Sequence, residues 1–276
     1  MIEIKNLTKK FKSHTVLNNI SVNFDKKTYG LLGENGAGKT TLIRCITGMY
    51  SSYDGDINLL DSNKIQNNIG YLPQNFGAFK ELTVNDMMLF FANQKALDLK
   101  NTATEIDSLL NLVNLSSQKD IKISKLSGGM LRRLGIAQAL LGDPQTIILD
   151  EPTAGLDPEE RLRFKNLIEK IKKEKTIILS THIVEDVDAL CDEIVIVKEG
   201  KIIFCGDVEN IKNIAKGKVF EAPESVFKTH MDKCEIVKQF RKINEVYYRF
   251  LSNEFDCAFS VNPQIEDGYI CAVKNI

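Results

Sequence analysis

The fold of this 276-residue chain is decided by one stretch, Gly33-Glu34-Asn35-Gly36-Ala37-Gly38-Lys39-Thr40. It has the pattern of a phosphate-binding loop, which is a glycine, four free positions and then Gly-Lys-Ser/Thr. The apolar run Tyr29–Leu32 before it predicts a buried strand, and Thr41–Ile46 after it predicts a helix that Gly48 can end. Glycines let backbone N–H groups turn towards an anion, and a helix N-terminus adds a favourable dipole. The stretch therefore predicts a phosphate site, and an ordinary glycine-rich turn is the weaker interpretation.

Two side chains of the loop can add to the binding of a nucleotide by the loop backbone. Lys39 can reach the terminal phosphates of a nucleotide, and the Thr40 hydroxyl can ligate magnesium. We therefore expect ATP and Mg²⁺ as the cofactors of this segment. The expected ATP-binding residues here are Gly33, Glu34, Asn35, Gly36, Ala37, Gly38, Lys39, Thr40 and Thr41.

Bulk composition limits the class of protein. With 43% hydrophobic and 26% charged residues, the composition is that of a soluble globular protein, and a formal net charge of −1 gives no reason to expect a nucleic-acid partner. The six cysteines form no C-x-x-C pair and have no zinc spacing. The N-terminus has no signal-peptide pattern, and no apolar run approaches membrane-spanning length. We expect a cytoplasmic protein, for which another chain must supply any membrane spans.

The first half of the chain predicts strands followed by a helical block. Residues 1 to about 30 contain apolar residues spaced as in strands, and a further short apolar run stands at 57–60 among turn residues. Residues from about 83 to 115 switch to helical spacing, behind a cap formed by Thr83 and Asp86. We therefore expect helices inserted into a strand-rich unit.

The second half predicts a parallel α/β sheet and then a separate C-terminal unit. Helices alternate with short, almost wholly apolar strands, as a parallel sheet buried on both faces requires, and these strands are 146–149, 176–179 and 194–197. A turn at Glu199-Gly200 predicts a closing hairpin. We expect a main domain at 1–215, with a helical subdomain at about 75–126, and a small α+β appendage at 216–276 in which no motif is recognised.

Two further segments carry side chains suited to nucleotide chemistry. The apolar strand at 147–149 ends in two adjacent carboxylates, and a strand that ends beside the phosphate loop puts Asp150 near magnesium and leaves Glu151 to polarise an attacking water. The segment Ser127-Gly128-Gly129 opens a long apolar helix with a good N-cap and with glycines that allow a ligand to approach closely. Each segment alone is a weak indication, since acidic turns and capped core helices are common.

Together these motifs resemble the nucleotide-binding subunit of ATP-binding-cassette (ABC) transporters across roughly residues 1–210. In chain order they are the phosphate loop at 33–40, the Q-loop residue Gln74, the signature Ser127-Gly128-Gly129, the Walker B pair Asp150-Glu151, the D-loop at 154–157 and the switch histidine His182. Their order, with a helical block between Gln74 and the signature, makes the resemblance specific. It implies the P-loop ABC fold, which has a mixed sheet core, an antiparallel β subdomain and a helical subdomain.

The resemblance also implies how ATP is held. Two cassettes would pair head to tail, with each ATP between the phosphate loop of one subunit and Ser127-Gly128-Gly129 of the other. Phe11 would stack on the adenine ring, and Asp157 would contact the second subunit. The expected magnesium ligands are Thr40, Gln74 and Asp150.

The chemistry implied by the resemblance is ATP hydrolysis. Glu151 would act as the general base towards the attacking water. Gln74 would touch magnesium and that water, and His182 would hydrogen-bond the γ-phosphate. These are the expected catalytic side chains.

Some positions depart from the family or narrow it. Met130 stands where the signature usually has glutamine, which removes a polar side chain but leaves Ser127 and the glycine amides. The stretch 120–124 lacks the acidic segment of many fused exporters, and this favours a complex of separate chains. The segment Pro263–Tyr269 resembles the Leu-Glu-Asp-x-Tyr ending of cassettes that pair with ABC-2-type exporter permeases, and this favours export.

We therefore expect an ATP-hydrolysing subunit that dimerises around two ATP and drives a separate membrane permease from the inner face of the membrane. The alternative is an ABC ATPase without a transport role, of which the iron–sulfur assembly type stays open. Chromosome-type members carry long coiled coils and translation-type members carry two cassettes, and neither feature is in this sequence. A metabolic P-loop kinase is disfavoured by Ser127-Gly128-Gly129 together with His182. The transported substrate is not predictable, because the permease lines its path.

Overall fold

A six-stranded sheet forms the centre of the computed structural model, which describes residues 1–59, 68–229, 231 and 234–276. Its strands are parallel except for the last pair, so five carboxyl ends meet at one edge. The strand that leads into the phosphate loop is central. In spatial order the strands are β5 (Ile69–Leu72), β6 (Thr146–Asp150), β7 (Thr176–Thr181), β3 (Thr28–Leu32), β8 (Glu193–Lys198) and β9 (Lys201–Asp207).

Both faces of this sheet are buried, as the composition of its strands predicts. Along β6, Ile147 and Leu149 pack into one hydrophobic cluster, while Ile148 between them packs into another. In β7, Ile177 and Ile178 divide between the same two clusters. Each such side chain contributes about 1.5–3 kcal/mol when it is fully buried. The alternation therefore fixes the sheet between two apolar layers.

An antiparallel sheet covers one of these layers. Ile2, Ile4 and Phe24 of this sheet are buried and share a cluster with Ile148. The strands predicted for residues 1–30 are confirmed, and the predicted apolar run at 57–60 is a strand through Leu59, with Leu60 outside the described residues. In spatial order the strands are β2 (His14–Phe24), β1 (Ile2–Phe11) and β4 (Asp54–Leu59).

The opposite layer is mainly helical. The predicted cap is present, since the Thr83 hydroxyl accepts from the Asp86 amide and the Asp86 carboxylate accepts from the Thr83 amide. Ile106 and Leu110, which have the i, i+4 spacing of one helix face, are buried. Among the described residues, no helix has the length and apolar character needed to cross a bilayer. The helices from residue 39 to residue 214 are α1 (Lys39–Ile46), α2 (Val84–Gln94), α3 (Leu99–Leu112), α4 (Gly128–Leu140), α5 (Pro158–Ile171), α6 (Val184–Leu190) and α7 (Val208–Ile214).

The C-terminal residues form a second antiparallel sheet with helices beside it. Two of its strands overlap the strand-like stretches 218–220 and 245–250 of the sequence, whereas the third has polar residues on both faces and was not predicted. The last helix packs against α7, and its Ile265 shares a core cluster with Ile194 and Ile196 of β8. A Cβ on Gly268 would lie 2.0 Å from the carbonyl oxygen of Ile211, so glycine allows this close contact. The elements are β10 (Val219–Pro223), α8 (Glu224–Phe227), β11 (Glu235–Lys242), β12 (Glu245–Leu251) and α9 (Ile265–Lys274).

A buried ion pair ties α9 to this C-terminal sheet. Arg249 of β12 donates to both carboxylate oxygens of Asp267, at 2.9 and 2.5 Å, and also to Glu221 at 2.8 Å and to the carbonyl of Asn262 at 2.8 Å. Asp267 is 0% exposed and Arg249 is 3% exposed. Asp267 also accepts from the amide of Gln264 at 2.6 Å. Asp267 therefore caps α9 and anchors it at the same time.

Removing one partner of this pair is expected to destabilise the C-terminal unit. Arg249→Met should lower the free energy of unfolding by about 3–5 kcal/mol, because it leaves the Asp267 carboxylate buried without its main cation. The double variant Arg249→Met/Asp267→Leu should recover part of the loss, because both desolvation costs are then absent although the Gln264 amide loses its cap. Urea unfolding followed by circular dichroism measures both. A double variant no more stable than Arg249→Met would contradict this interpretation of the pair.

Candidate functional site

The predicted phosphate-binding loop joins the carboxyl end of β3 to the first residue of α1. Gly38 is the N-cap of α1 with a φ of 113°, and a Cβ there would lie 2.9 Å from a methyl group of Leu17. At Gly33 a Cβ would lie 2.4 Å from the carbonyl oxygen of Val197 in β8. Glycine is therefore required at both positions, and the backbone N–H groups at the start of α1 remain available to an anion.

Lys39 is the first residue of α1, and its side chain is buried under the loop. Its ammonium donates to the carbonyl oxygens of Gly33 at 2.6 Å and Glu34 at 3.2 Å, and it lies 3.8 Å from Oε1 of Glu151. Burial lowers the pKa of Lys39 from its ordinary value, while Glu151 and Asp150 act to raise that pKa. The loop thus holds a cation beside two carboxylates.

Asp150 ends β6 and faces the second residue of α1. Its Oδ2 accepts from the Thr40 hydroxyl at 3.1 Å, and its Oδ1 accepts from the Ser180 hydroxyl. Asp150 and Ser180 are register partners on β6 and β7, so strand pairing brings them together. A hydroxyl and a carboxylate are oxygen ligands of the kind that magnesium prefers. Thr40 and Asp150, both predicted as metal ligands, are in direct contact, and their chemistry fits the ion.

Glu151 has a backbone conformation that is uncommon for any residue but glycine, with a φ of 51°. Its amide donates to the carbonyl oxygen of Ser180 at 3.0 Å and to the hydroxyl oxygen of Ser180 at 3.1 Å. Its carboxylate lies between Lys39 and His182, with 2.9 Å from Oε2 to Nδ1 of His182. The Glu151 side chain is buried, whereas that of His182 is 49% exposed. Glu151, which follows β6, and His182, which follows β7, were both predicted as catalytic residues, and their side chains are in contact.

A pocket of about 400 Å³ opens in front of α1. Gln74, which lies just beyond β5, lines it together with Glu151 and most of the phosphate loop. Val16 of β2 also lines it, although the sequence does not single it out, because one valine on a strand carries no functional pattern. The pocket therefore gathers the predicted loop, glutamine and glutamate residues at one edge of the sheet.

The signature segment Ser127-Gly128-Gly129 does not line this pocket. Ser127 is the N-cap of α4, as predicted, and its hydroxyl accepts from the Met130 amide at 3.2 Å. Ser127 and Gly128 are exposed, while the Met130 side chain packs against the helical core. The chain therefore presents a second helix N-terminus outward and away from its own phosphate loop.

Phe11 and Asp157, predicted to contact adenine and a second subunit, contact neighbouring residues of the chain itself in this structure. Phe11 ends β1, meets the Tyr50 ring edge-on at 5.3 Å between centroids and has the Lys9 ammonium 4.8 Å from its own centroid. It is 39% exposed and is not part of the pocket lining. Asp157 caps α5 by accepting from the Glu160 amide at 2.9 Å. The predicted contacts of Phe11 with adenine and of Asp157 with a second subunit stay predictions.

The family model described as ABC transporter matches residues 17–154. The chain is 35% identical to YxlF, an ABC transporter ATP-binding protein of Bacillus subtilis, over 80% of this chain and 75% of that protein. It is 32% identical to Nod factor export ATP-binding protein I of Bradyrhizobium diazoefficiens, over 91% of this chain and 81% of that protein. CbiO1 of Clostridium perfringens, part of the ABC transporter complex CbiONQ, matches with a TM-score of 0.67 and 28% identity, over 76% of this chain and 89% of that one.

Ser180 supports the Asp150 carboxylate and the Glu151 backbone amide, and its removal is expected to weaken magnesium binding at the predicted ligands. Ser180→Ala removes the hydroxyl that binds Asp150 and Glu151, a loss of about 1–3 kcal/mol for a buried polar group left without its partner. We expect a roughly tenfold higher magnesium concentration for half-maximal binding of a fluorescent ATP analogue. The exposed Ser116→Ala is the control and should behave as the wild type. An unchanged magnesium midpoint in Ser180→Ala would contradict the support role.

Proposed function

We propose that this chain, which belongs to the ABC transporter family as an ATP-binding protein, pairs with a second cassette around two ATP and drives a separate membrane permease. Members of this family hydrolyse ATP to power transport, and the chain is an ATPase subunit of that kind. Its fold is the P-loop ABC cassette predicted from the sequence, with a mixed main sheet, an antiparallel sheet and helices. The division into a main domain at 1–215 and an accessory unit at 216–276 is part of the proposal.

One observation supports the dimer. The phosphate loop, Gln74, Asp150, Glu151 and His182 converge at one edge of the sheet, while Ser127-Gly128-Gly129 lies outside that pocket with its helix N-terminus exposed. A helix N-terminus with free amides suits an anion. A second chain placed head to tail would bring its own Ser127 segment to this pocket. Each ATP would then be completed by the partner.

Within each proposed ATP site, different residues would bind the nucleotide and hydrolyse it. The loop amides and Lys39 would hold the phosphates, and Phe11 would stack on the adenine ring. Glu151 would take a proton from the attacking water, and His182, now paired with Glu151 at 2.9 Å, would instead hydrogen-bond the γ-phosphate. Loss of the γ-phosphate removes contacts that favour the closed dimer, so hydrolysis would reopen it.

Magnesium is proposed at the Thr40 hydroxyl and the Asp150 carboxylate. Thr40 and Asp150, in contact at 3.1 Å, would hold the ion, with Gln74 as a further ligand from the loop after β5. When bound, the ion would neutralise charge on the phosphates during transfer. The hydrogen bond from the Ser180 hydroxyl would keep the Asp150 carboxylate oriented towards it.

A docking surface for the permease is proposed beside Gln74. The loop at 75–82 follows this residue directly, and Phe79 within it is 57% exposed, with its ring edge-on to Phe90 of α2 at 5.3 Å. An exposed aromatic patch next to a nucleotide-sensing loop is suited to pass motion to another chain. The permease would hold the cassette at the inner face of the membrane, with its nucleotide sites in the cytoplasm. Export is the proposed direction, supported by the similarity to a Nod factor export protein.

The general-base assignment predicts a separation of binding from turnover. Glu151→Gln should bind ATP with an affinity close to that of the wild type, because the phosphate loop is untouched, yet hydrolyse it at least about 100-fold more slowly. Release of phosphate and binding of a fluorescent ATP analogue measure the two properties. ATP hydrolysis by Glu151→Gln at the wild-type rate would contradict the assignment of Glu151 as the general base.

The transport role is tested by isolating the complex. Tagged Glu151→Gln, with ATP, is recovered from membranes solubilised in mild detergent, and we expect a stoichiometric polytopic membrane protein with it. Phe79→Asp in the same background should lose that protein while still binding ATP, whereas Ile243→Asp, at a C-terminal residue that is 95% exposed, should keep it. Recovery with cytosolic partners alone would instead assign the chain to the ABC ATPases without a transport role.

A further inference from the structure

One guanidinium contacts the backbone of two segments of the nucleotide site. Arg132 lies in the second turn of α4 and is partly buried. Its Nε donates to the carbonyl of Pro152 at 3.1 Å, and its two terminal nitrogens donate to four more carbonyls. These are Pro73 at 3.5 Å, Gln74 at 3.0 Å, Asp150 at 2.9 Å and Glu151. An arginine has five N–H donors, and here each has a backbone carbonyl within hydrogen-bond distance.

The five carbonyls lie at the carboxyl ends of neighbouring strands. Pro73 and Gln74 follow β5, and the other three end or follow β6. These strands are paired in parallel, with Leu72 opposite Leu149. The segments that follow the two strands therefore leave the sheet side by side at the same edge. Carbonyls beyond a strand end have no ladder partner and need another donor when buried. Arg132 supplies that donor to both strand ends at once.

Glu151 is held from two sides as a result. Its amide is bound by Ser180 of β7, and its carbonyl is bound by Arg132 of α4. The left-handed backbone at Glu151, with a φ of 51°, is a costly conformation of the kind that persists only where the surroundings fix it. Fixing both ends of the residue also fixes where its carboxylate projects, beside Lys39 and His182.

We propose that Arg132 is a positioning residue for ATP hydrolysis: it holds Glu151 and Gln74 in register with the phosphate loop. The inference rests on the proposed role of Glu151. Arg132 lies one turn beyond Ser127, on the helix whose N-terminus serves the partner's ATP in the proposed dimer. A shift of α4 that follows contact of Ser127 with the partner's nucleotide therefore moves the support of this chain's own Glu151. The two ATP sites are linked through one side chain.

Lysine cannot replace Arg132 in this role. Its ammonium has three donors at a single point, whereas the guanidinium is a flat fork that reaches carbonyls on separate segments. Burial lowers the pKa of Arg132 from its ordinary value while Asp150 and Glu151 act to raise it, and an arginine stays charged under such conditions. Arg132→Lys therefore keeps the charge and removes the geometry.

Arg133 is a matched control on the same helix. Its guanidinium also donates to two backbone carbonyls, those of Val113 at 3.0 Å and Asn114 at 2.8 Å, and it pairs with Glu160 at 3.3 Å. These partners lie after α3 and on α5, away from the strand ends. Arg133→Lys thus makes the same chemical change at the adjacent residue and leaves the contacts of Glu151 unchanged.

The test measures ATP hydrolysis, ATP affinity and thermal unfolding in both variants. Arg132→Lys should lower kcat by roughly 10- to 100-fold and change the Kd for ATP by less than about threefold, because misplacement of a reacting group by a fraction of an ångström acts on the chemical step. Arg133→Lys should keep kcat within about twofold of the wild type. If Arg132→Lys does not fold, Arg132→Gln, which removes the charge and keeps a donor, is measured with the same expectation.

A double-mutant cycle separates positioning from general damage. In the Glu151→Gln background, Arg132→Lys should lower the residual rate by a much smaller factor than in the wild type, because the general base that it positions is already gone and only the support of Gln74 is left to lose. Equal losses in both backgrounds, or a loss in ATP affinity as large as the loss in kcat, would overturn the proposal. Full turnover in Glu151→Gln alone would overturn the general-base assignment, and the positioning role with it, whatever Arg132→Lys shows.

Discussion

The structure depends on holding two carboxylates and one ammonium together at the edge of a parallel sheet. Asp150, Glu151 and Lys39 are each less than a tenth exposed, and a nucleotide would add further negative charge beside them. Buried charges are tolerated only where hydrogen bonds satisfy them. The Ser180 hydroxyl, the Thr40 hydroxyl and the carbonyls of the phosphate loop provide those bonds. The strand order supplies the partners, because it places β7 between the strand of the carboxylates and the strand of the loop.

The same edge is also the place where we propose that a second chain completes the site. Parallel strands bring their carboxyl ends together, so loops after β3, β5, β6 and β7 can share a ligand. The N-terminus of α4 lies beyond this edge, and Arg132 joins that helix to the carbonyls of the strand ends. A motion of α4 caused by a partner's nucleotide would therefore shift the hydrogen bond between Arg132 and the Glu151 carbonyl. In the proposed dimer, this guanidinium would be a physical link between the two ATP sites.

Much of this arrangement follows from the sequence, for identifiable reasons. The β-branched strands 146–149, 176–179 and 194–197 predicted a buried parallel sheet, and the loop at 33–40 predicted the strand and helix around it. Strand β11 was missed because Lys238 and Gln239 interrupt any alternation, and its pairing with β12 is a long-range property. Arg132 was missed because its partners are backbone carbonyls, which leave no residue pattern in a sequence. The proposed contact of Phe11 depends on a ligand, so neither sequence nor fold decides it.

Completion of each ATP site by a second chain is the central claim, and sedimentation of Glu151→Gln with and without ATP and magnesium tests it most directly. We expect the mass of one chain without nucleotide and twice that mass with it, since the γ-phosphate would lie between the phosphate loop of one chain and Ser127 of the other. Ser127→Arg in the same background should bind ATP and stay at the mass of one chain. A chain that binds ATP yet keeps a single-chain mass, or a Ser127→Arg form that still doubles, would contradict the claim.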